Sequence, residues 1–350
     1  MANHDIIVVG ASAGGVSALT KLVQSFPENL NASVFIVLHT SPVSPGLLPD
    51  ILSRKGPLKA VHPKDGEEFK KGKIYVAPPD HHLLLERGHV VVKKGPKENH
   101  FRPSIDALFR SAAYVYGPRV IGIVLTGMLN DGTSGLWSVK RMGGIAIIQH
   151  PDDALFPSMP VSVLEHVTVD HIVTLDKIGQ LLNTLVAKRA PKKISISAKE
   201  MKLLKMEVVI ATHDNAFEMG IMDMGKLTPY TCPECNGALI GITEGASVRF
   251  RCHTGHAFTA SNLLSGITQT VEERLWDGMR GMEETTMLLN HLGDHYKKAG
   301  NKKMASRFFS KAKEIAKRAQ IIHDSVLTQQ LLSEDVIINQ EKMIKPSRDA

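Results

Sequence analysis

Short stretches made almost wholly of apolar residues recur through the first half of the chain: IIVVG (6–10), SVFIVLH (33–39), KIYVAP (73–78), VIGIVLTG (120–127) and IAIIQ (145–149). Amphipathic stretches with helical spacing lie between them, namely GVSALTKLVQSF (15–26), LLPDILSRK (47–55), SIDALFRSAAYVY (104–116) and SGLWSVKRM (134–142). A strand that is apolar on both faces must be covered on both. The alternation therefore specifies a doubly wound, mainly parallel α/β sheet with helices on both faces. LLLERGHVVVKK (83–94) reads instead as a hairpin turning at Arg87 and Gly88.

The pattern ends near residue 187, giving a first domain over 1–186. The basic, proline-broken stretch AKRAPKKISISAKEMK opens a linker and irregular segment over 187–227. Residues 228–260 gather all three cysteines, and residues 261–335 return to helical spacing, with HYKKAGNKK turning one long helix into a second as a helical hairpin. The tail, 336–350, carries no pattern.

No apolar run approaches the roughly 18 residues needed to cross a bilayer, and MANHD has neither the basic nor the apolar region of a signal peptide. The expected location is the cytoplasm, with no membrane insertion. Three cysteines crowded into one segment fit a metal site in a reducing compartment better than a disulfide framework. The net charge of +7 is local, since nine Lys or Arg between Lys297 and Arg318 face only Glu314. Such a face is either a solvated helix surface or the contact for an acidic partner.

The first strand breaks into Gly10-Ala11-Ser12-Ala13-Gly14-Gly15 before a helix resumes. A dinucleotide turn needs a glycine where Ser12 stands and an acid at the end of the second strand, where His39 stands. No G-K-[ST] follows, so a Walker loop is excluded as well. The turn does satisfy G-x-S-x-G, which exposes a serine oxygen on a tight strand-to-helix bend. A serine nucleophile needs a base and an orienting carboxylate. Functional groups in an open α/β sheet gather at the carboxyl ends of its strands. His39 ends the second strand and Asp131 follows 120–127 at that same edge. His150, Asp152 and Asp153 leave the strand 145–149 there too, and periodicity alone leaves this rival loop open.

IIVVGASAGG, VLHTSP, GKIYVAPPDHHLLLERG, RPSIDALFRSAA, GIVLTGMLNDGTSGL, GGIAIIQHPDDALFPSMP and VDHIVTLDKIGQLL follow one another in an order and spacing that resemble the catalytic domain of chemotaxis-type (CheB-type) protein-glutamate methylesterases. The resemblance covers residues 5 to about 186. It implies that Ser12 is the nucleophile, His39 the general base and Asp131 the residue that orients it. It further implies a serine hydrolase that removes methyl esters from glutamate side chains of methyl-accepting chemoreceptors and deamidates certain glutamines, with backbone N–H groups near Ala13 holding the oxyanion, Met128 lining the site and no catalytic cofactor. Family members in chemotaxis usually carry an N-terminal receiver domain. This chain opens directly on the catalytic strand, which implies another means of control. Ala13 stands where many members have Thr, and HTSPVSPGLLPDIL lacks the Phe that others carry.

CPEC (232–235) and RCHTGH (251–256) frame a hairpin, so Cys232 and Cys235 sit on one knuckle and Cys252 with His256 or His253 on a second. Four such ligands suit tetrahedral Zn²⁺ in a zinc ribbon. Adjacent residues seldom reach one ion, which favours His256 over His253. The metal is expected to be structural, folding a unit too small for its own core, and to leave ester hydrolysis to the first domain alone. A zinc module with a helical hairpin also resembles extensions fused to stand-alone methylesterase-like domains. It is expected to dock a separate regulator or a second copy of the chain; the alternative is a nucleic-acid-binding unit beside an inactive scaffold.

Overall fold

The computed structural model describes residues 3–192, 194, 196–212, 218, 220–245 and 247–328. The expected tail over 336–350 lies outside them. The chain divides into two compact units, Met1–Leu263 and Leu264–Ala350.

The first unit is built on a sheet in the order β3-β4-β2-β1-β7-β8-β9, parallel throughout. Its strands are β1 (Ile6–Ala11), β2 (Ser33–Leu38), β3 (Lys59–Val61), β4 (Lys73–Val76), β7 (Val120–Val124), β8 (Ile145–Gln149) and β9 (His171–Val173). The predicted hairpin forms separately as β5 (His82–Leu85) and β6 (Val90–Lys93), paired antiparallel. Every residue of β1, β2 and β7 is buried, as unbroken apolar runs require of central strands. Helices α1 (Gly15–Gln24), α2 (Leu48–Lys55) and α6 (Leu175–Ala187) share one core with one face of the sheet. The other face packs on α3 (Ile105–Tyr116), α4 (Thr133–Arg141) and α5 (Ser158–His166). The fold is thus doubly wound, as expected.

Strand order reverses at β1, whose neighbours are β2 on one side and β7 on the other. Loops leaving β1, β2 and β7 therefore meet at the sheet's carboxyl edge, where the crevice of such a sheet lies.

Residues within the expected linker form α7 (Ala198–Ile210), opened by a capping box in which the Ser197 hydroxyl accepts from the Glu200 N–H at 3.2 Å and Glu200 accepts from the Ser197 N–H at 3.0 Å. An antiparallel sheet follows in the order β10 (Lys226–Thr231), β11 (Ala238–Glu244), β12 (Ser247–Cys252) and β13 (Ala257–Thr259). This cysteine-bearing ribbon belongs to the first unit. Arg249 and Arg251 of β12 are buried against Glu207 of α7 and Glu98, and Arg110 of α3 also pairs with Glu98.

Helices α8 (Ala260–Lys298) and α9 (Lys302–Thr328) make the predicted helical hairpin, turning at 299–301. Ala305, Ala312, Ala319 and Val326 recur every seven residues on the buried stripe of α9. The Phe309 ring lies so close to Gly293 that an added Cβ there would meet it at 2.6 Å, and Tyr296 stacks on Phe308.

Candidate active site

Ser12 follows β1 directly, and its turn is closed by the Gly15 N–H donating to the Ser12 carbonyl at 2.8 Å. Gly14 caps α1 with φ 73°, a left-handed conformation that glycine adopts without strain. Gly127 meets Ser12 from the β7 side: a Cβ there would lie 2.9 Å from Ser12 Cβ and 2.0 Å from Met159 Sδ, so only glycine lets the two turns approach. The Ser12 N–H donates to the Thr126 carbonyl at 3.0 Å, and the His39 N–H to the Ala11 carbonyl at 3.2 Å. Adjacent strand ends thus hold the two residues in register.

The side chains form one chain of hydrogen bonds. Ser12 Oγ lies 3.1 Å from His39 Nδ1, and His39 Nε2 lies 2.8 Å from Asp131 Oδ2. A proton on Nε2, donated to the carboxylate, leaves Nδ1 to accept from the serine hydroxyl. The two ring nitrogens are therefore used in the opposite sense from the serine-protease arrangement. Phe101 stacks on the other side of this group, its ring 3.7 Å from that of His39.

Asp131 is buried, and it sits at the N-terminus of α3, where the Ile105 N–H donates to Oδ2 at 2.7 Å and the Asp106 N–H to Oδ1 at 3.3 Å. Asn99 Nδ2 and Ser104 Oγ add donors to Oδ1 at 2.9 and 3.1 Å. Burial opposes the charge, but the bonds from His39, Asn99 and Ile105 hold the carboxyl below the usual carboxylate range. Beside it, burial and the Asp131 charge push Asp106 up to about 8. Asn99, Phe101 and Ser104 belong to no motif that the sequence pattern marks as functional. The available signal was Ser104 in N-cap position before an apolar helical run, which marks a helix N-terminus at this edge.

His150 and its neighbours do not reach Ser12. His150 Nδ1 accepts from the Asp152 N–H at 3.2 Å, the Asp152 side chain is 93% exposed, and Asp153 accepts from Gln149. The rival loop is tied to itself and to the β9–α6 junction, where the His150 N–H donates to the Val173 carbonyl at 2.8 Å and the Leu175 N–H to Asp153 Oδ2 at 2.8 Å. Ser12, Ala13, His39, His100, Phe101 and Arg102 line a cleft of about 500 Å³. The Ala13 N–H, behind Ser12 at the start of α1, has no hydrogen-bond partner among the described residues. Met128 is 49% exposed and stands outside that lining, on the loop after β7.

The sequence profile of CheB methylesterase matches residues 7–182. The chain belongs to the CheB methylesterase family. A Leptospira interrogans relative is 38% identical over 180 residues, covering 51% of this chain and 93% of its own length. A Methanosarcina mazei protein named protein-glutamate methylesterase/protein-glutamine glutaminase 2 is 36% identical over 191 residues, 52% of each chain. The crystal structure of the Thermotoga maritima CheB methylesterase catalytic domain superposes with a TM-score of 0.51 at 34% identity, covering 53% of this chain and all of that one. The CheB likeness thus accounts for the sheet and its cleft, and the ribbon and helices lie beyond it.

Cys232, Cys235, Cys252 and His256 offer ligand atoms that all lie within 4.8 Å of one another. Cys235 and Cys252 Sγ are 3.7 Å apart, and His256 Nδ1 lies 3.5 Å from Cys252 Sγ and 3.8 Å from Cys232 Sγ. Ligands bound at ~2.3 Å around a tetrahedral ion stand about 3.7 Å apart, so this set fits Zn²⁺. His253 is not in the group; its ring packs over Gly237.

Proposed function

We propose that the protein hydrolyses methyl esters on glutamate side chains of chemoreceptor-type proteins in the cytoplasm, through an acyl-enzyme on Ser12. The observation that carries this reading is the hydrogen-bonded chain Ser12–His39–Asp131 opening into a cleft at the strand-order reversal. Ser12 Oγ attacks the ester carbonyl carbon while its proton passes to His39 Nδ1. Charge gathers on the former carbonyl oxygen, to which the free Ala13 N–H, just before α1, would donate. The bond to the methoxy oxygen then breaks, and methanol leaves with the proton from His39. Water attacks the acyl group, gives one proton to His39, and Ser12 departs with that proton, leaving a glutamic acid side chain that releases its remaining proton to solvent. A glutamine amide would follow the same course with ammonia leaving. Asp131 stays ionised throughout, orienting the imidazole and balancing its transient charge.

In the same reading Cys232, Cys235, Cys252 and His256 hold one Zn²⁺, whose four protein ligands leave no open position, so the ion supplies folding energy to the ribbon. The hairpin α8–α9, which exposes Met287, Leu288, Ile321 and Leu327, would dock a protein partner. Methanol release from a methylated chemoreceptor fragment, compared between the wild type and Ser12→Ala, tests the assignment. Equal release by both proteins would remove it.

A further inference from the structure

Residues 97–102 form a strap with the proposed triad on one side and the cysteine ribbon on the other. Toward the triad, Asn99 Nδ2 donates to Asp131 Oδ1 at 2.9 Å and to Asp106 Oδ2 at 3.1 Å, and Phe101 stacks on His39. Toward the ribbon, the Asn99 N–H donates to the Ala257 carbonyl at 2.7 Å and the Ala257 N–H to the Lys97 carbonyl at 3.2 Å. The Thr259 N–H donates to Asn99 Oδ1 at 3.0 Å. One buried amide side chain therefore bonds to Asp131 through its nitrogen and to β13 through its oxygen.

The cysteine knuckles reach the same strap. Glu234, between Cys232 and Cys235, meets Lys97 Nζ at 3.0 Å and His100 Nδ1 at 3.2 Å. Arg251, adjacent to Cys252, pairs with Glu98 at 2.8 Å. Asn99 and His100 take left-handed backbone conformations, φ 52° and 70°, which side-chain-bearing residues hold only when their surroundings impose them. Among the described residues, the backbone–backbone bonds leaving 97–101 all go to Ala257. The ribbon imposes the strap's shape.

We propose that the ribbon is a metal-set clamp on the triad: an occupied Cys232/Cys235/Cys252/His256 site holds residues 97–102, and through Asn99 and Phe101 fixes Asp131 and His39. Asn99 is a positioning residue; it does not touch the reacting atoms. The inference rests on the triad and metal readings above. It makes turnover depend on an ion bound outside the cleft, which takes no part in bond making.

The full-length chain tests it, with p-nitrophenyl acetate as the ester and Trp276→Phe as background so that Trp137 is the sole tryptophan. Trp137 packs against the ribbon hairpin, since a Cβ at Gly245 would meet its Nε1 at 3.2 Å, and its emission reports ribbon docking. Chelation is expected to shift that emission and lower kcat at least tenfold with KM within twofold, and added zinc to restore both. Asn99→Gly, which keeps the left-handed backbone without the amide, is expected to retain its zinc, to show a comparable loss of kcat, and to lose little more on chelation. A metal-free chain with kcat within twofold of the loaded one overturns the clamp, as does an Asn99→Gly variant of wild-type kcat. A zinc-loaded wild type that hydrolyses no ester overturns the esterase reading and the clamp with it, whereas an active wild type indifferent to zinc overturns the clamp alone.

Discussion

Phe101 lies flat against His39, ring planes 6° from parallel and centroids 3.7 Å apart. An imidazole that must face a hydroxyl with one nitrogen and a carboxylate with the other has a single productive ring plane, and the stacked phenyl, itself part of the cleft wall, holds that plane.

Phe101→Leu is accordingly expected to lower kcat for a small ester about fivefold, the equivalent of the ~1 kcal/mol of a good aromatic stack, while the fold is kept. Steady-state kinetics at pH 7.5 measure it. A variant with unaltered kcat would mean that the serine and aspartate contacts alone fix the ring.

The order of sensitivity along the triad separates it from the neighbouring loop. His39→Ala and Asp131→Asn should each cost about ten thousand-fold in kcat, because either change removes the base or its orientation. His150→Ala and Asp152→Asn, which alter a turn whose side chains do not reach Ser12, should stay within about threefold of wild type. The reverse ranking would move the catalytic base to residues 150–153.

Acid and alkaline stability should be governed by different buried carboxyls. For Glu207, burial opposes the charge, but Arg249 and Arg251 hold its carboxyl at about 2; relative to an unfolded value near 4.5, its contribution is present above that value and lost as pH falls toward 2. Asp106, pushed up to about 8 by burial and the Asp131 charge, holds a proton that the unfolded chain releases near 3.8. Its contribution is full below about pH 4 and disappears as pH rises to about 8. Urea midpoints should therefore fall between pH 5.5 and 8.5, and Asp106→Asn, which keeps an acceptor for the Gly132 and Gly135 N–H groups, should flatten that fall. An equal fall in the variant would assign the alkaline loss to other groups.

The strands and site residues legible in the sequence are those whose environment is uniform. β1, β2, β4, β7 and β8 announce themselves as unbroken apolar runs, while β3 and β9 escape because they are three-residue edge strands with partly exposed faces. Helix α7 reads as linker in the sequence: its apolar residues are scattered around the helix because it packs on α3 on one side and on the ribbon's cluster on another, and only the S-A-K-E capping box marks its start. Ser12, His39 and Asp131 were legible because each ends or follows a strand at one edge. Asn99 was not, since its role depends on the left-handed strap that carries it and on β13 more than 150 residues later. The expectation that the two halves work apart is what the Asn99 contact with both Asp131 and Thr259 puts to the test. Cysteine spacing specifies four ligands but says nothing about which surface the folded ribbon covers.

The metal assignment can be checked without reference to catalysis. Three thiols and an imidazole with donor atoms within 4.8 Å of one another predict about one zinc per purified chain, bound stoichiometrically in metal analysis. Cys232 is fully buried and its Sγ lies 3.8 Å from His256 Nδ1, so Cys232→Ser should abolish retention of the ion through gel filtration. His256→Ala should do the same, since the imidazole closes the fourth corner. His253→Ala should keep the full equivalent, because that ring packs over Gly237 and lies outside the donor set, although Cys252 precedes it directly. Apo protein prepared by chelation should lose β-structure confined to 226–259, read by hydrogen exchange, because the ribbon's own apolar cluster is small and its folding draws on the ion. Zinc lost from His253→Ala but kept by His256→Ala would exchange the two histidines; a chain that binds no zinc with all four residues intact would leave the cysteines as buried thiols.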